Sequence, residues 1–171
     1  MTSSRTLPLW PATLLAATIL TLSACGGGDN SLPSGPGTAN GGQLKDATRI
    51  NTMPVADLAA AVASGASKVT VATPLYPVTS YRLTYITSDG QGREVVASGL
   101  VSVPVKAAGA RSPVISYQHA TVYQDAQAPS NNAVASEPTL VLASLGYIVV
   151  AADYVGYGAS RGSQHPYLLS T

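Results

Sequence analysis

The segment Tyr147-Ile148-Val149-Val150-Ala151-Ala152 is apolar at six consecutive positions, and it constrains the fold more than any other stretch of the chain. A run without alternation is how a strand buried on both faces reads. Upstream, Pro138 opens a short helical pattern with Val141, Leu142 and Leu145 on one side, and Gly146 closes it. Proline suits the first helical position, where an N–H has no partner anyway. Glycine just past the last turn tolerates the left-handed backbone that ends a helix. Downstream, Asp153 begins a loop containing Gly156 and Gly158. Helix, strand and Gly-rich loop together form half of a parallel α/β unit. In open α/β sheets, ligands sit at the carboxyl ends of the strands.

Length and charge narrow the rest. The 171 residues allow one domain with a sizeable core, and 46% apolar against 10% charged residues excludes wholesale disorder. Nine Lys+Arg against eight Asp+Glu give no basic field for nucleic acid. One cysteine and two widely separated histidines form no metal-ligand cluster, and nothing in the sequence calls for a cofactor.

The amino terminus reads as an address. Arg5 precedes an uncharged apolar run over residues 7–24, interrupted by Pro8 and Pro11, which is the layout of a secretory signal peptide. The run ends Leu22-Ser23-Ala24-Cys25, which resembles the lipobox of bacterial lipoprotein precursors. That resemblance implies cleavage before Cys25, acylation of its sulfur and amine, and a lipid-anchored protein in the cell envelope whose partner is membrane lipid. Gly26 in place of aspartate after the cysteine favours the outer membrane by the same resemblance. Residues 26–42 hold seven glycines and two prolines in seventeen positions. Such a linker has a root-mean-square reach of about 20–25 Å as a coil. The expected organisation is a lipoprotein signal peptide over 1–24, a Gly/Ser/Pro-rich linker over 25–42 and a folded domain over 43–171.

Within that domain, Asn51 or Thr52 can cap a short surface helix, with Pro54 in its first turn and alanines 59–61 and 63 favouring it. From Thr79 the period becomes two: Tyr81, Leu83 and Tyr85 alternate with Arg82, Thr84 and Ile86. After the turn Ser88-Asp89-Gly90-Gln91-Gly92, alternation resumes through Val95, Ala97, Gly99, Val101 and Val103, so an antiparallel hairpin is expected. Pro113 starts a further strand, Val114-Ile115-Ser116-Tyr117, which leads into Gln118-His119-Ala120-Thr121. Residues 113–152 are long enough for one right-handed parallel strand-helix-strand crossover.

This order of hairpin, strand ending in Tyr117-Gln118-His119-Ala120-Thr121, helix, and Gly146-to-Gly158 segment resembles the α/β-hydrolases. Within them it is most similar to the secretory-lipase-like bacterial esterases, which also carry a segment like His165-Pro166-Tyr167-Leu168. The implied fold class is α/β: the amino-terminal part of an α/β-hydrolase sheet, an antiparallel hairpin followed by a parallel strand-helix-strand unit. The implied activity is that of an exported serine ester hydrolase, a carboxylesterase or lipase acting on a small ester. Carried over by residue, His119, Ala120 and Thr121 occupy the loop where the family builds part of its oxyanion hole. The family usually has His-Gly there, so Ala120 would be strained if the glycine served a positive φ. Asp153 falls where a loop-bracing residue is expected, and His165 is expected to hold the turn before Pro166.

Gly158-Ala159-Ser160-Arg161-Gly162 spells G-x-S-x-G, the nucleophile-elbow pattern. An elbow needs its serine on a sharp turn directly between strand and helix, followed later by an acid and then a histidine. Ser160 lies eight residues past Ala152, and only His165 follows it, with no acid. The match is read as accidental, which leaves nucleophile, acid and triad histidine unidentified and implies an incomplete α/β-hydrolase domain. The alternatives are a catalytically inactive truncated lipoprotein and a peptidase of the same fold.

Overall fold

A computed structural model describes residues 41–166. The signal sequence, Cys25 and nearly all of the linker lie outside the described residues, as do Tyr167 and Leu168. The chain order is β1 (Leu44–Met53), α1 (Val55–Ala63), β2 (Val78–Ser88), β3 (Glu94–Pro104), β4 (Val114–Ser116), α2 (Pro138–Ser144) and β5 (Ile148–Ala152). Three single 3₁₀ turns, at Asp125–Gln127, Pro129–Asn131 and Gly158–Ser160, punctuate the loops after β4 and β5.

The five strands form one mixed sheet in the order β1-β2-β3-β5-β4. β1, β2, β3 and β5 pair antiparallel in succession, and β4 pairs parallel with β5. β4, α2 and β5 are therefore the expected parallel crossover, and β2 and β3 the expected hairpin. The hairpin turn owes as much to Asp89 as to its glycines. The Asp89 carboxylate accepts the N–H groups of Gln91 and Arg93, each at 2.9 Å, and the Arg93 guanidinium at 2.7 Å. These bonds to the charged form hold the Asp89 pKa below its ordinary value, the Arg93 backbone bond contributing most.

Two elements differ from expectation. β1 carries no hydrophobic alternation, being polar at most positions and exposed along its first seven residues. Lys45, Asp46 and Arg49 suit an edge strand, where charge discourages pairing with other chains. Asn51 and Thr52 accordingly close β1 rather than cap a helix, and Pro54 is the residue flanking α1. β5 is covered on one face only: Val149 and Ala151 are buried, whereas Val150 is 38% exposed.

The covered face is the core. Leu58 of α1 and Leu140, Val141 and Ala143 of α2 pack on Val78, Leu100 and Val149 of the sheet. Each fully buried Leu or Val there contributes about 1.5–3 kcal/mol. In α2 every residue except Leu142 is buried, and Leu142 packs against the core beside the expected Val141, while Leu145, just past the helix, is half-buried. Gly146 follows the helix at φ +108°, the left-handed conformation its position required. The other sheet face presents Leu44, Leu83, Val101 and Val150 along a shallow apolar trough. Among the described residues no helix is long and apolar enough to cross a membrane.

Candidate functional site

Two loops leave the carboxyl ends of the parallel strands: one after Ser116 of β4, one after Ala152 of β5. They are laced together around a buried carboxylate. Asp153 is fully buried, and its backbone N–H bonds to the Ser98 carbonyl of β3 at 2.9 Å. Its Oδ1 accepts the Ser130 N–H at 2.8 Å, and its Oδ2 accepts both the Ser130 and the Ser98 hydroxyls at 2.5 Å. A buried carboxylate is tolerable only when its lone pairs are filled in this way. Arg82 adds its guanidinium from β2, donating from Nε to Ser130 Oγ and from Nη2 to the Ser130 carbonyl, each at 3.1 Å. Asp153 thus braces the loop, as its position implied.

The clasp also explains Gly158. This residue has φ +56°, and a Cβ there would overlap Ser98 Oγ and Asp153 Oδ2. Its N–H donates to Asp125 Oδ1 at 2.7 Å, and the next N–H, of Ala159, donates to Ser98 Oγ at 2.8 Å. The Tyr157 hydroxyl reaches the Val122 carbonyl at 2.5 Å, adding a further tie between the loops.

Ser160 is 5% exposed, and its hydroxyl is occupied by the turn that carries it. It accepts the Gly156 N–H at 3.0 Å and donates to the Tyr157 carbonyl at 2.9 Å. It sits in a 3₁₀ turn with no helix following among the described residues, so the strand-to-helix elbow is absent around it. His165 lies against its own loop, with Nδ1 2.6 Å from the Val155 carbonyl and its ring edge-on to Tyr157.

The candidate oxyanion loop is built differently. The His119 ring stacks on Tyr154 at 4.2 Å between centroids. Its Nδ1 lies 2.8 Å from the Ala120 carbonyl and its Nε2 3.1 Å from the Ala152 carbonyl, at the end of β5. Gln118 accepts the Tyr154 hydroxyl at 2.9 Å. Ala120 and Thr121 are exposed. Ala120 does not take a positive φ; among non-glycine described residues only Tyr154 does, at +64°. The strain expected at Ala120 is found instead across the site, in the residue that stacks on its neighbour.

Two features were not legible in the sequence. Glu137, flanking the start of α2, is half-buried and accepts the Asn132 side chain at 2.6 Å. Burial raises its pKa above the ordinary carboxylate value, with Lys68, the Asn132 bond and His119 opposing the rise. A recess of about 240 Å³ opens beside the end of β5, lined by Tyr85, Thr87, Ala97, Ala152, Tyr154 and Val155. Burial raises the Tyr85 pKa, and the Asp153 charge adds to the rise. Burial does the same to Tyr154, with Tyr117 contributing. No group of three His, Cys, Asp or Glu side chains suited to a metal ion occurs among the described residues.

A mixed sheet with a parallel crossover, helices on one face and laced loops at the strand carboxyl ends defines an α/β-hydrolase-like fold, and solved structures share it. No family model and no curated protein sequence matches the chain. A hydrolase from Legionella pneumophila superposes with a TM-score of 0.62 at 28% identity, covering 73% of this chain and 34% of that one. The rice cell wall degrading esterase LipA from Xanthomonas oryzae superposes with a TM-score of 0.62 at 27% identity, covering 77% and 33%. The chain spans about a third of the length of the solved structures it matches.

Proposed function

We propose that the chain supplies the amino-terminal part of an exported, lipid-anchored serine ester hydrolase. The observation that carries this reading is the superposition of about three-quarters of the chain on a hydrolase and an esterase. The loop His119-Ala120-Thr121 would contribute backbone donors to an oxyanion hole at the carboxyl end of β4. Such donors stabilise the negative oxygen that develops when a serine adds to an ester carbonyl. The serine, the histidine that takes its proton and the acid that orients the histidine belong, in this reading, to the two-thirds of the neighbours' fold that the chain does not match. Ser160 is excluded from the nucleophile role because its hydroxyl is committed to the turn. The Leu22-Ser23-Ala24-Cys25 sequence supports acylation at Cys25 and a place on the envelope membrane, with the outer membrane favoured.

The test is to read the coding sequence beyond Thr171, in frame and in the shifted frames, and to express the chain with whatever it encodes. The expected product carries a G-x-S-x-G followed by an acid and a histidine, hydrolyses p-nitrophenyl esters and reacts with a fluorophosphonate probe at that serine. Ser160→Ala should leave the labelling intact. Labelling at Ser160 itself would sink the assignment, and absence of any such downstream sequence would favour a non-catalytic membrane-tethered lipoprotein. Cleavage of peptides but not esters by the completed protein would make it a peptidase of the same fold.

A further inference from the structure

We propose that Tyr154 is a positioning residue that sets the direction of the Thr121 N–H, acting through His119; the inference rests on the ester-hydrolase reading above. A left-handed backbone is unfavourable for a residue with a Cβ and persists only where the surroundings over-determine it. At Tyr154 the carbonyl accepts the Tyr157 N–H at 3.2 Å within its own turn, the ring lies 6.4 Å from that of His165, and two further side-chain contacts fall on the facing loop. The ring stacks on His119, tilted by 29°, and the hydroxyl bonds Gln118. Adjacent residues of the β4 loop are therefore held by one side chain of the β5 loop.

The consequence travels one peptide further. With its face against Tyr154 and Nε2 beside the Ala152 carbonyl, the imidazole presents Nδ1 to the Ala120 carbonyl. In a planar trans peptide the C=O and the following N–H point in opposite directions. Holding the Ala120 carbonyl on the imidazole thus turns the Thr121 N–H away from it. Neither the Ala120 nor the Thr121 N–H has a hydrogen-bond partner among the described residues. An unpartnered backbone donor held in one direction is what a developing oxyanion requires, because no reorganisation is then needed during reaction. The imidazole acts here as a strut: it needs a proton on Nδ1 to hold the carbonyl, and the Tyr154 ring keeps it in plane.

The experiment is solution NMR on the full chain, wild type and the variants Tyr154→Phe and Tyr154→Gly, with urea unfolding alongside. In the wild type, long-range nitrogen–proton spectra should show the His119 Nδ1 protonated, with ring protons shifted upfield by the tyrosine face. Tyr154→Phe keeps the stack and should keep both signatures. Tyr154→Gly removes the stack and the Gln118 bond, so its unfolding midpoint should fall, while the upfield shift is lost and the Ala120 and Thr121 amides broaden. A role confined to bracing would lower the midpoint in Tyr154→Gly but leave the His119 tautomer and the Ala120 and Thr121 amides unchanged. That pattern, or a wild-type His119 protonated only on Nε2, would overturn the proposal. The wild-type tautomer decides the matter even if a variant fails to fold. None of these readouts depends on ester turnover, so failure of the hydrolase reading would be seen separately.

Discussion

Replacing Gly158 by alanine should be far more damaging than replacing Gly162, although both residues have positive φ. Gly162, at φ +99°, has nothing within 4 Å of the point where a Cβ would stand, so Gly162→Ala carries only the backbone penalty. That penalty is roughly 1–2 kcal/mol for a left-handed residue. Gly158→Ala carries a similar penalty and also places a methyl group onto Ser98 Oγ and Asp153 Oδ2. Those atoms are fully buried and hydrogen-bonded to each other, so making room means breaking at least one bond to a buried charge. Such a bond contributes about 1.5–3 kcal/mol. The expected cost of Gly158→Ala is therefore about 2.5–5 kcal/mol. With a urea m-value near 1.5 kcal/mol/M, the difference between the two variants is a midpoint shift of roughly 1–2 M. The assay is urea unfolding followed by far-ultraviolet circular dichroism, at low micromolar concentration. A Ser98→Ala background frees one side of the clasp and should shrink the Gly158→Ala effect. Equal midpoint losses for Gly158→Ala and Gly162→Ala, or no dependence on Ser98, would refute the reasoning.

Cys25→Ser should block processing and leave a precursor about 2–3 kDa heavier, from roughly 24 retained residues; acylated protein of normal size from that variant would end the lipid-anchor reading. Burial holds the Glu137 pKa above its ordinary value of 4.5, so the stability linked to this group is fully present below that value and is lost as pH rises through the raised one. Glu137→Gln should therefore be stabilising at pH 7 and nearly neutral in effect below pH 4.5, and unfolding midpoints that shift equally at both pH values would contradict it. β4 is an edge strand of the described sheet and carries no charge, and its first residue, Val114, is 66% exposed. Residues 43–171 are expected to bind an apolar dye and to associate as concentration rises, and Val114→Lys should suppress this; a monomer at every concentration by size-exclusion chromatography would show that the edge is covered.

What the sequence revealed and what it hid divide along one physical line. β2, β3, α1, α2 and β5 follow from local patterns, because alternation, a helix-opening proline and a closing glycine each act within a few residues. β1 has no such signal, since an exposed polar edge strand is specified by its partner β2 and by little in itself. The six-residue apolar run announced β5 but could not say what lies over each face, and Val150 remains 38% exposed as a result. The site shows the same division more sharply. Asp153 announced itself by following the strand, yet its partners Ser98 and Ser130 lie 55 and 23 positions away and look like ordinary strand and loop serines. The family pattern made Ala120 a point of strain, or of a re-aimed loop, only if the family's glycine serves a positive φ. The positive φ falls instead at Tyr154, 34 positions later, where the ring meets His119 and the hydroxyl meets Gln118. Local rules therefore locate the two loops, and the bonds between them decide which residues bear the geometry that chemistry needs.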